Sequence, residues 1–204
     1  MKPHLIEALC GIKKCAHHLH IPLQSGDDEV LQKMNRRYTR SFYLDLIHRL
    51  KSAMPDFSLT LDVMAGFPAE TEAQFQNTLD LLGQVKPLHA HVFPYSRREG
   101  TRAAGFGDLP VELIRRRVNA LIQVSDRIGA EIRRPYIGRT VQVLAEERKK
   151  RSGLLSGFTS NYLKVCFQGN PEWIGEMIPV ELLTIRGEIF LGKAVGHGVV
   201  IPAR

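Results

Sequence analysis

Apolar residues recur with two different periods in the first 135 positions, and this pattern predicts strands separated by helices. Residues 59–67 alternate strictly between apolar and polar positions, which is typical of a strand. Its apolar face carries Leu59, Leu61, Val63 and Ala65. Residues 17–26 and 89–96 predict two further strands. Strands that alternate with helices along the chain indicate a parallel sheet of the α/β class.

Helical spacing of apolar residues predicts five helices around this sheet. They are residues 3–9, a short helix after Asp27 or Asp28, Thr39 to near Pro55, a helix capped by Thr71, and Pro110 to Ile132. Thr71 with Gln74 matches a capping box. The third helix should bury a stripe of Phe42, Leu46, Ile47 and Leu50. The last should bury a long stripe that begins at Val111.

The pattern changes after Pro135, where short alternating runs replace the helices. Five runs follow within the remaining residues: TVQVLAE, GLLSGFT, YLKVCF, MIPVELLTI and EIFLGKAV. So many short strands predict a small antiparallel barrel of the OB type. The predicted domains are therefore residues 1–135 and 136–204.

Composition and charge narrow the class of protein. The chain has 204 residues, a net charge of +7 and three cysteines. The excess of positive charge favours a polyanionic partner such as nucleic acid. Three cysteines cannot form a disulfide framework and fit a reducing compartment. No apolar run approaches the roughly 20 residues of a membrane span, so a cytoplasmic protein is expected.

Polar residues of the predicted strands fall on the face that does not meet the helices. They are His18, His20, Gln24, Thr60 and Asp62. Polar groups are not buried without partners, so this face predicts a ligand-binding or water-filled cavity. The alternative is an antiparallel sheet whose polar face lies in solvent.

Residues 66–71, GFPAET, lie where a strand turns into a capped helix. Gly66 would let a ligand approach the backbone, and Glu70 lies near the positive end of the helix dipole. A purely structural loop with an acidic first turn explains the same residues.

Histidines and cysteines offer a metal site as a further alternative. His18 and His20 share a strand face, and Asp62 could complete the ligand set of a metal-dependent hydrolase, with His89 and His91 nearby. A structural role is the other interpretation of these histidines. The cysteine pair, Cys10 and Cys15, has too few ligands for a cluster, and Cys166 is expected in the core.

A basic run falls between the first two strands of the predicted barrel. It consists of Arg148, Lys149, Lys150 and Arg151. Loop tips and one strand face of OB-type barrels often bind nucleic acid, and Phe158, Tyr162 and Lys164 would add stacking and charge. The alternative is a solvated charged loop.

Several segments, in order along nearly the whole chain, resemble the second half of the radical S-adenosylmethionine domain of methylthiotransferases. They are HLHIPLQSG, VLQKMNRRYT, TLDVMAGFPAETEAQFQNTL and HVFPYSRREGTRAA. The tail containing GFTSNYLKV resembles the TRAM domain that holds RNA in the same enzymes. HVFPYS and NYLKV are most similar to the branch that acts on threonylcarbamoyladenosine in tRNA. The resemblance implies a partial (β/α) radical SAM barrel followed by a small all-β OB-like TRAM barrel.

The resemblance also implies an activity, cofactors and site residues. The family uses S-adenosylmethionine and 4Fe-4S clusters to add a methylthio group at carbon 2 of the modified adenosine beside the anticodon of tRNA. The cofactor and substrate cavity would be lined by Gln24, Ser25, Asp62, Gly66, Glu70, Tyr95 and Ser96. Arg36 and Arg37 are candidates for the cofactor's carboxylate or a phosphate.

The cysteine pattern departs from the family. A CxxxCxxC motif that began at Cys10 would need cysteines at positions 14 and 17, which are Lys14 and His17. Without three thiolates the cluster is not held in its usual way, so the chain alone is expected to be inactive. The chain also begins inside the barrel, which predicts a split gene product, a truncation or an excised segment, and a separate polypeptide with the amino-terminal half. An RNA-binding module, in which only the small barrel folds well, is the alternative.

Overall fold

The structure is a computed structural model that describes residues 3–12 and 14–196, with the side chains of residues 3 and 4 left aside. These residues divide into two compact units. The first comprises residues 1–13 and 19–129, and the second comprises residues 14–18 and 130–204. The predicted domain boundary near Pro135 lies six residues after Gly129, the last residue of the first unit.

The chain begins with alternating helices and strands. Their bounds are α1 Pro3–Gly11, β1 His18–His20, α2 Asp28–Lys33, α3 Arg40–Ala53, β2 Ser58–Ala65, α4 Glu72–Val85, β3 His89–Pro94 and α5 Val111–Arg133. A short 3-10 helix, Arg102–Gly105, precedes α5. In the described part of the chain, none of the helices combines the length and apolarity needed to cross a membrane.

The three strands form one sheet in the order β1-β2-β3. Strands β2 and β3 are parallel, with Asp62 opposite His91 and Val63 opposite Val92. The alternating apolar residues of β2, from Leu59 to Ala65, are all buried. The predicted parallel sheet and its buried face are therefore confirmed.

The first strand is shorter than the predicted span of residues 17–26. Regular pairing ends at His20 because Pro22 has no N–H to donate, and Gln24 adopts a left-handed φ of 66°. The chain still follows β2, since the N–H groups of Leu23 and Gln24 both donate to the carbonyl of Asp62 at 3.0 and 2.8 Å. The segment therefore keeps its place beside β2 without forming a regular ladder.

Two positions of the predicted helix stripes are wrong. Phe42 is 46% exposed, and its neighbour Tyr43 is buried instead, with its hydroxyl donating to the carbonyl of Ile21 at 2.7 Å. Val111, at the start of α5, is 70% exposed. Spacing alone does not decide which of two adjacent apolar residues faces the core. A tyrosine whose hydroxyl finds a carbonyl can replace a phenylalanine there.

The second unit is a closed five-stranded barrel. Its strands are β4 Thr140–Arg148, β5 Leu155–Thr159, β6 Lys164–Gln168, β7 Met177–Arg186 and β8 Ile189–Ala194, and they pair in the order β4-β5-β6-β8-β7. Four pairs are antiparallel and β6–β8 is parallel, so the expectation of an entirely antiparallel barrel is wrong at that pair. The prediction of a small all-β barrel is confirmed, and its assignment as a TRAM domain stays a prediction.

Candidate functional site

A cleft of about 690 Å³ opens in the first unit where β2 and β3 end. Carboxyl ends of parallel strands are the usual place for ligands in α/β folds. Gln24, Met64, Tyr95 and Ser96 reach it from the sheet, and two helix-turn segments complete it. The remaining lining residues are Lys33, Met34, Asn35, Arg36, Phe67, Phe93, Pro94, Arg98, Thr101, Arg102 and Ala103. The volume suits a ligand of nucleotide size.

The floor of the cleft is apolar and carries one buried hydroxyl. Met64, Phe67 and Phe93 line it, and Phe67 meets Tyr95 edge to face at 5.7 Å between ring centroids. The Tyr95 hydroxyl is buried, with no hydrogen-bond partner among the described residues. Leaving such a group unsatisfied costs about 1–3 kcal/mol. A ligand that bonds this hydroxyl would recover that cost, so the cleft is suited to a ligand with both flat apolar and polar parts.

The rim of the cleft is positively charged. Lys33, Arg36, Arg98 and Arg102 line it, and no aspartate or glutamate is among the lining residues. None of the four side chains forms an ion pair within the described part of the chain. Arg97, which does not line the cleft, is instead paired with Asp108 at 3.1 Å. The cleft therefore keeps uncompensated positive charge beside its apolar floor.

The loop after β2 is held by a buried ion pair. The Arg117 guanidinium of α5 donates to the Glu70 carboxylate at 2.9 Å and to the Glu70 carbonyl at 3.0 Å. Both side chains are 2% exposed, and the guanidinium also lies over the Phe75 ring at 5.0 Å. The N–H of Gly66 donates to the same carboxylate at 3.3 Å. This network fixes the turn between β2 and α4, and Arg117 was missed because an arginine on an amphipathic helix is normally read as solvent-facing.

Burial dominates the electrostatics of Glu70. It raises the pKa of that carboxyl above its ordinary value of 4.5, while the nearby Arg117 charge and the Gly66 N–H oppose part of the rise. The predicted capping box is confirmed beside it, since Thr71 accepts from the Gln74 N–H at 3.3 Å and Gln74 accepts from the Thr71 N–H at 3.0 Å. Glu70 is thus a buried anchor of the loop.

The structure brings part of the predicted cofactor set into the cleft. Gln24, Arg36 and Tyr95 line it. Ser25, Asp62, Gly66 and Glu70 do not line it. Ser25 is fully buried and its hydroxyl lies 3.4 Å from that of Thr78. Sequence reasoning missed Lys33, Arg98 and Arg102, although the basic string RREGTR directly after β3 could have indicated the last two.

Gly66 shows why the loop needs glycine. Its φ is +76°, which other residues rarely adopt, and an added Cβ would lie 2.6 Å from Cγ1 of Ile114 in α5. The predicted reason for this glycine was close approach of a ligand. In the structure the close neighbour is instead the side chain of Ile114.

The histidine and cysteine candidates have other contacts. His20 lies 3.2 Å from the Asp62 carboxylate and 3.0 Å from the Thr60 hydroxyl, while the His18 ring stacks on Tyr162. Cys10 donates to the carbonyl of Ala53 at 3.5 Å, and Cys166 is buried as predicted. Within residues 3–12 and 14–196, no three histidine, cysteine or carboxylate side chains are grouped to hold a metal ion. These residues do not fit a 4Fe-4S cluster or the metal site of the hydrolase alternative.

The second unit carries a column of stacked rings on its barrel. Phe158 and Tyr162 stack at 4.4 Å between centroids, and His18 stacks on Tyr162 at 4.2 Å. The Lys164 ammonium lies 5.6 Å from the Phe158 centroid. Tyr162 is 46% exposed and adopts a left-handed φ of 66°. Aromatic rings beside a cation are the combination that binds unpaired bases.

The basic turn between β4 and β5 is partly paired. Arg148 donates to the carbonyl of Gly153 at 3.2 Å, and Lys149 pairs with Glu147, whose pKa it lowers by hydrogen bonding. Lys150 and Arg151 are exposed and form no ion pair within the described residues. These two cations are therefore the free charges of the turn.

Comparisons with known proteins agree with the sheet and the cleft. Residues 1–82 match the profile of the Radical SAM superfamily. A solved structure, the radical SAM enzyme coproporphyrinogen III oxidase (HemN) from Escherichia coli, covers 78% of this chain with a TM-score of 0.52. The match spans 44% of that enzyme at 15% identity, so it supports the fold alone. The mixed α/β architecture thus has a radical SAM fold neighbour.

The curated relatives identify the branch of enzymes. The chain is 39% identical over 183 residues to the threonylcarbamoyladenosine tRNA methylthiotransferase MtaB of Bacillus subtilis, covering 88% of this chain and 41% of that protein. It is 38% identical over 200 residues to the tRNA-2-methylthio-N(6)-dimethylallyladenosine synthase of Methylacidiphilum infernorum, covering 97% and 43%. The predicted resemblance to radical SAM methylthiotransferases is confirmed. The chain spans about two fifths of the length of these relatives.

Proposed function

We propose that this chain is the carboxy-terminal part of a tRNA methylthiotransferase that adds a methylthio group to carbon 2 of threonylcarbamoyladenosine beside the anticodon. The observation that carries the proposal is the similarity to tRNA methylthiotransferases along most of the chain. In this proposal the first unit provides part of the cavity for S-adenosylmethionine, and the barrel is a TRAM domain that holds tRNA. With tRNA as the substrate, the proposed location is the cytoplasm.

The cleft has the groups that S-adenosylmethionine needs. Met64, Phe67 and Phe93 would hold the adenine, Arg36 would pair with the carboxylate, and Tyr95 would bond a polar atom through its unpartnered hydroxyl. In the family, this cofactor and its clusters supply the radical and the methylthio group. Residues of this chain would bind and orient the cofactor and exclude water from it.

The cluster is assigned to a different polypeptide segment. The described cysteines and histidines form no group suited to iron, and no reaction step is assigned to a cluster on these residues. The amino-terminal half with the cysteine motif would complete the cavity, and a separate chain that carries it is the proposed partner. On this proposal the 204-residue chain has no methylthiotransferase activity by itself.

RNA binding by the barrel would use the ring column and the basic turn. Phe158, Tyr162 and Lys164 offer stacking and charge, while Lys150 and Arg151 offer unpaired cations. Stacking on an aromatic ring contributes about 1–3 kcal/mol per base. Phosphate contacts would make the affinity fall with salt. Arg148 and Lys149 would contribute less, since both already have partners in the protein.

The test is binding of the purified chain to an anticodon stem-loop RNA that carries threonylcarbamoyladenosine, followed by fluorescence anisotropy over a range of salt. We expect salt-dependent binding that Tyr162→Ala or Lys164→Gln weakens several-fold. Lys193→Gln, an exposed residue of β8 on the same barrel, is the matched control and should bind as the unmodified chain does. Iron–sulfur reconstitution should give no four-iron absorbance. Absence of RNA binding even at low salt would refute the proposal.

A further inference from the structure

The cleft of the first unit carries more positive charge than S-adenosylmethionine can use. That cofactor has one carboxylate, together with an ammonium and a sulfonium, so its net charge is positive. Arg36 alone could pair with the carboxylate. Lys33, Arg98 and Arg102 would then face a cationic ligand with no aspartate or glutamate among the lining residues to compensate them.

We propose that Arg98, Arg102 and Lys33 form a phosphate-binding edge of this cleft, which holds the backbone of the RNA strand on either side of the nucleotide to be modified. Guanidinium groups pair with phosphate through two parallel hydrogen bonds, and lysine acts as a point charge. The apolar floor of Met64 and Phe93 offers a surface for a base of the same strand. The inference rests on the proposed function, because it takes RNA as the substrate.

The segment that carries the two arginines is positioned before any ligand arrives. The Thr101 hydroxyl donates to the carbonyl of Arg98 at 2.8 Å, and Arg102 begins the short 3-10 helix directly afterwards. Arg97 ties the segment to the chain before α5 through Asp108 at 3.1 Å and the Ala104 carbonyl at 2.6 Å. Arg97 is therefore committed to the fold, while Arg98 and Arg102 line the cleft with their charges uncompensated.

The neighbouring arginines make this pattern specific. Arg115, Arg116 and Arg117 of α5 all pair with glutamates. The two cleft arginines have no such partner in the part of the chain that the structure describes. Unpaired guanidinium groups on a fixed segment, beside a flat apolar floor, suit a nucleic-acid backbone better than a solvent-facing surface.

The test measures how RNA affinity depends on salt for the Arg98→Gln/Arg102→Gln variant of the full chain. Each lost phosphate contact on a single strand should lower the slope of log K against log salt by about 0.7, so two contacts should lower it by about 1.4. The control is Arg127→Gln, which removes one charge from the exposed side of α5 outside the cleft. Its slope should match that of the unmodified chain, and far-UV circular dichroism should show that all variants are folded.

The outcomes separate this inference from the proposed function. If the unmodified chain does not bind RNA, the proposed function fails. If it binds, and the double variant keeps the full slope while Tyr162→Ala weakens binding, the proposed function stands and the phosphate edge is wrong. If the double variant loses affinity for adenosine 5′-monophosphate but keeps the RNA slope, the cleft takes a free nucleotide and the assignment to RNA is wrong.

Discussion

Replacement of Arg117 by methionine tests the buried ion pair that fixes the loop after β2. Methionine keeps much of the packing on Phe75 but leaves the Glu70 carboxylate buried without its cation. The carboxyl can respond by binding a proton. From its ordinary value of 4.5, that costs about 3 kcal/mol at pH 7, since each pH unit is worth about 1.4 kcal/mol. Removing one partner of a buried pair generally costs about 3–5 kcal/mol, which agrees.

Urea unfolding of Arg117→Met can be followed separately for the two units. Far-UV circular dichroism reports mainly the helices of the first unit, and fluorescence of the single tryptophan, Trp173, reports the barrel. With a slope of about 2 kcal/mol per molar urea, a loss of about 3 kcal/mol lowers the dichroism midpoint by about 1.5 M at pH 7. At pH 5 the protonation cost shrinks to about 1 kcal/mol.

The control for this prediction is the adjacent residue on the same helix. Arg116 pairs with Glu72 on the surface at 3.3 Å, and exposed pairs contribute little, so Arg116→Gln should change the free energy of unfolding by no more than about 0.5 kcal/mol. If Arg117→Met behaves like Arg116→Gln at pH 7, the ion pair does not hold the loop. A loss that is equal at pH 5 and pH 7 would show that packing, and not charge, explains it.

Three further predictions concern single side chains. Gly66→Ala should lower the stability of the first unit by about 1–3 kcal/mol in urea unfolding, because its φ is positive and its Cβ would meet Ile114. Gly157→Ala should lower the midpoint of the Trp173 signal instead, because its Cβ would lie 1.8 Å from the Leu144 carbonyl across the barrel. The raised pKa of Glu70 means that the folded chain binds this proton more tightly than the unfolded chain. Its contribution to stability is therefore present below pH 4.5 and is lost as the pH rises through the raised value, and Glu70→Gln should remove that dependence from a pH series of unfolding curves.

The secondary structure could largely be read from local patterns. Alternation in residues 59–67 predicts β2 because the buried face of a strand repeats every second residue. The capping box at Thr71 and Gln74 is equally local, because its hydrogen bonds join residues three apart. The first strand was predicted too long, since the effects of Pro22 and of the left-handed Gln24 were not taken into account.

The candidate site was harder to predict because its chemistry depends on contacts distant in sequence. Glu70 was assigned to the cavity from its place near a strand end, but its carboxylate meets Arg117, 47 residues later. Arg98 and Arg102 are distinguished from Arg97 only by having no acidic partner, which no sequence period reveals. Phe158 and Tyr162 were singled out correctly as neighbours of Lys164, whereas the stacking of His18 on Tyr162 joins residues far apart along the chain.

The parallel pairing of β6 with β8 has a consequence for synthesis on the ribosome. Strand β8 is the last of the barrel to emerge, yet it completes the hydrogen bonding of both β6 and β7. A nascent chain that ends before Ile189 would therefore display two open edges at once, and open edges recruit other strands. Premature stop codons in this region should yield insoluble product, although most of the barrel's residues would already have been made.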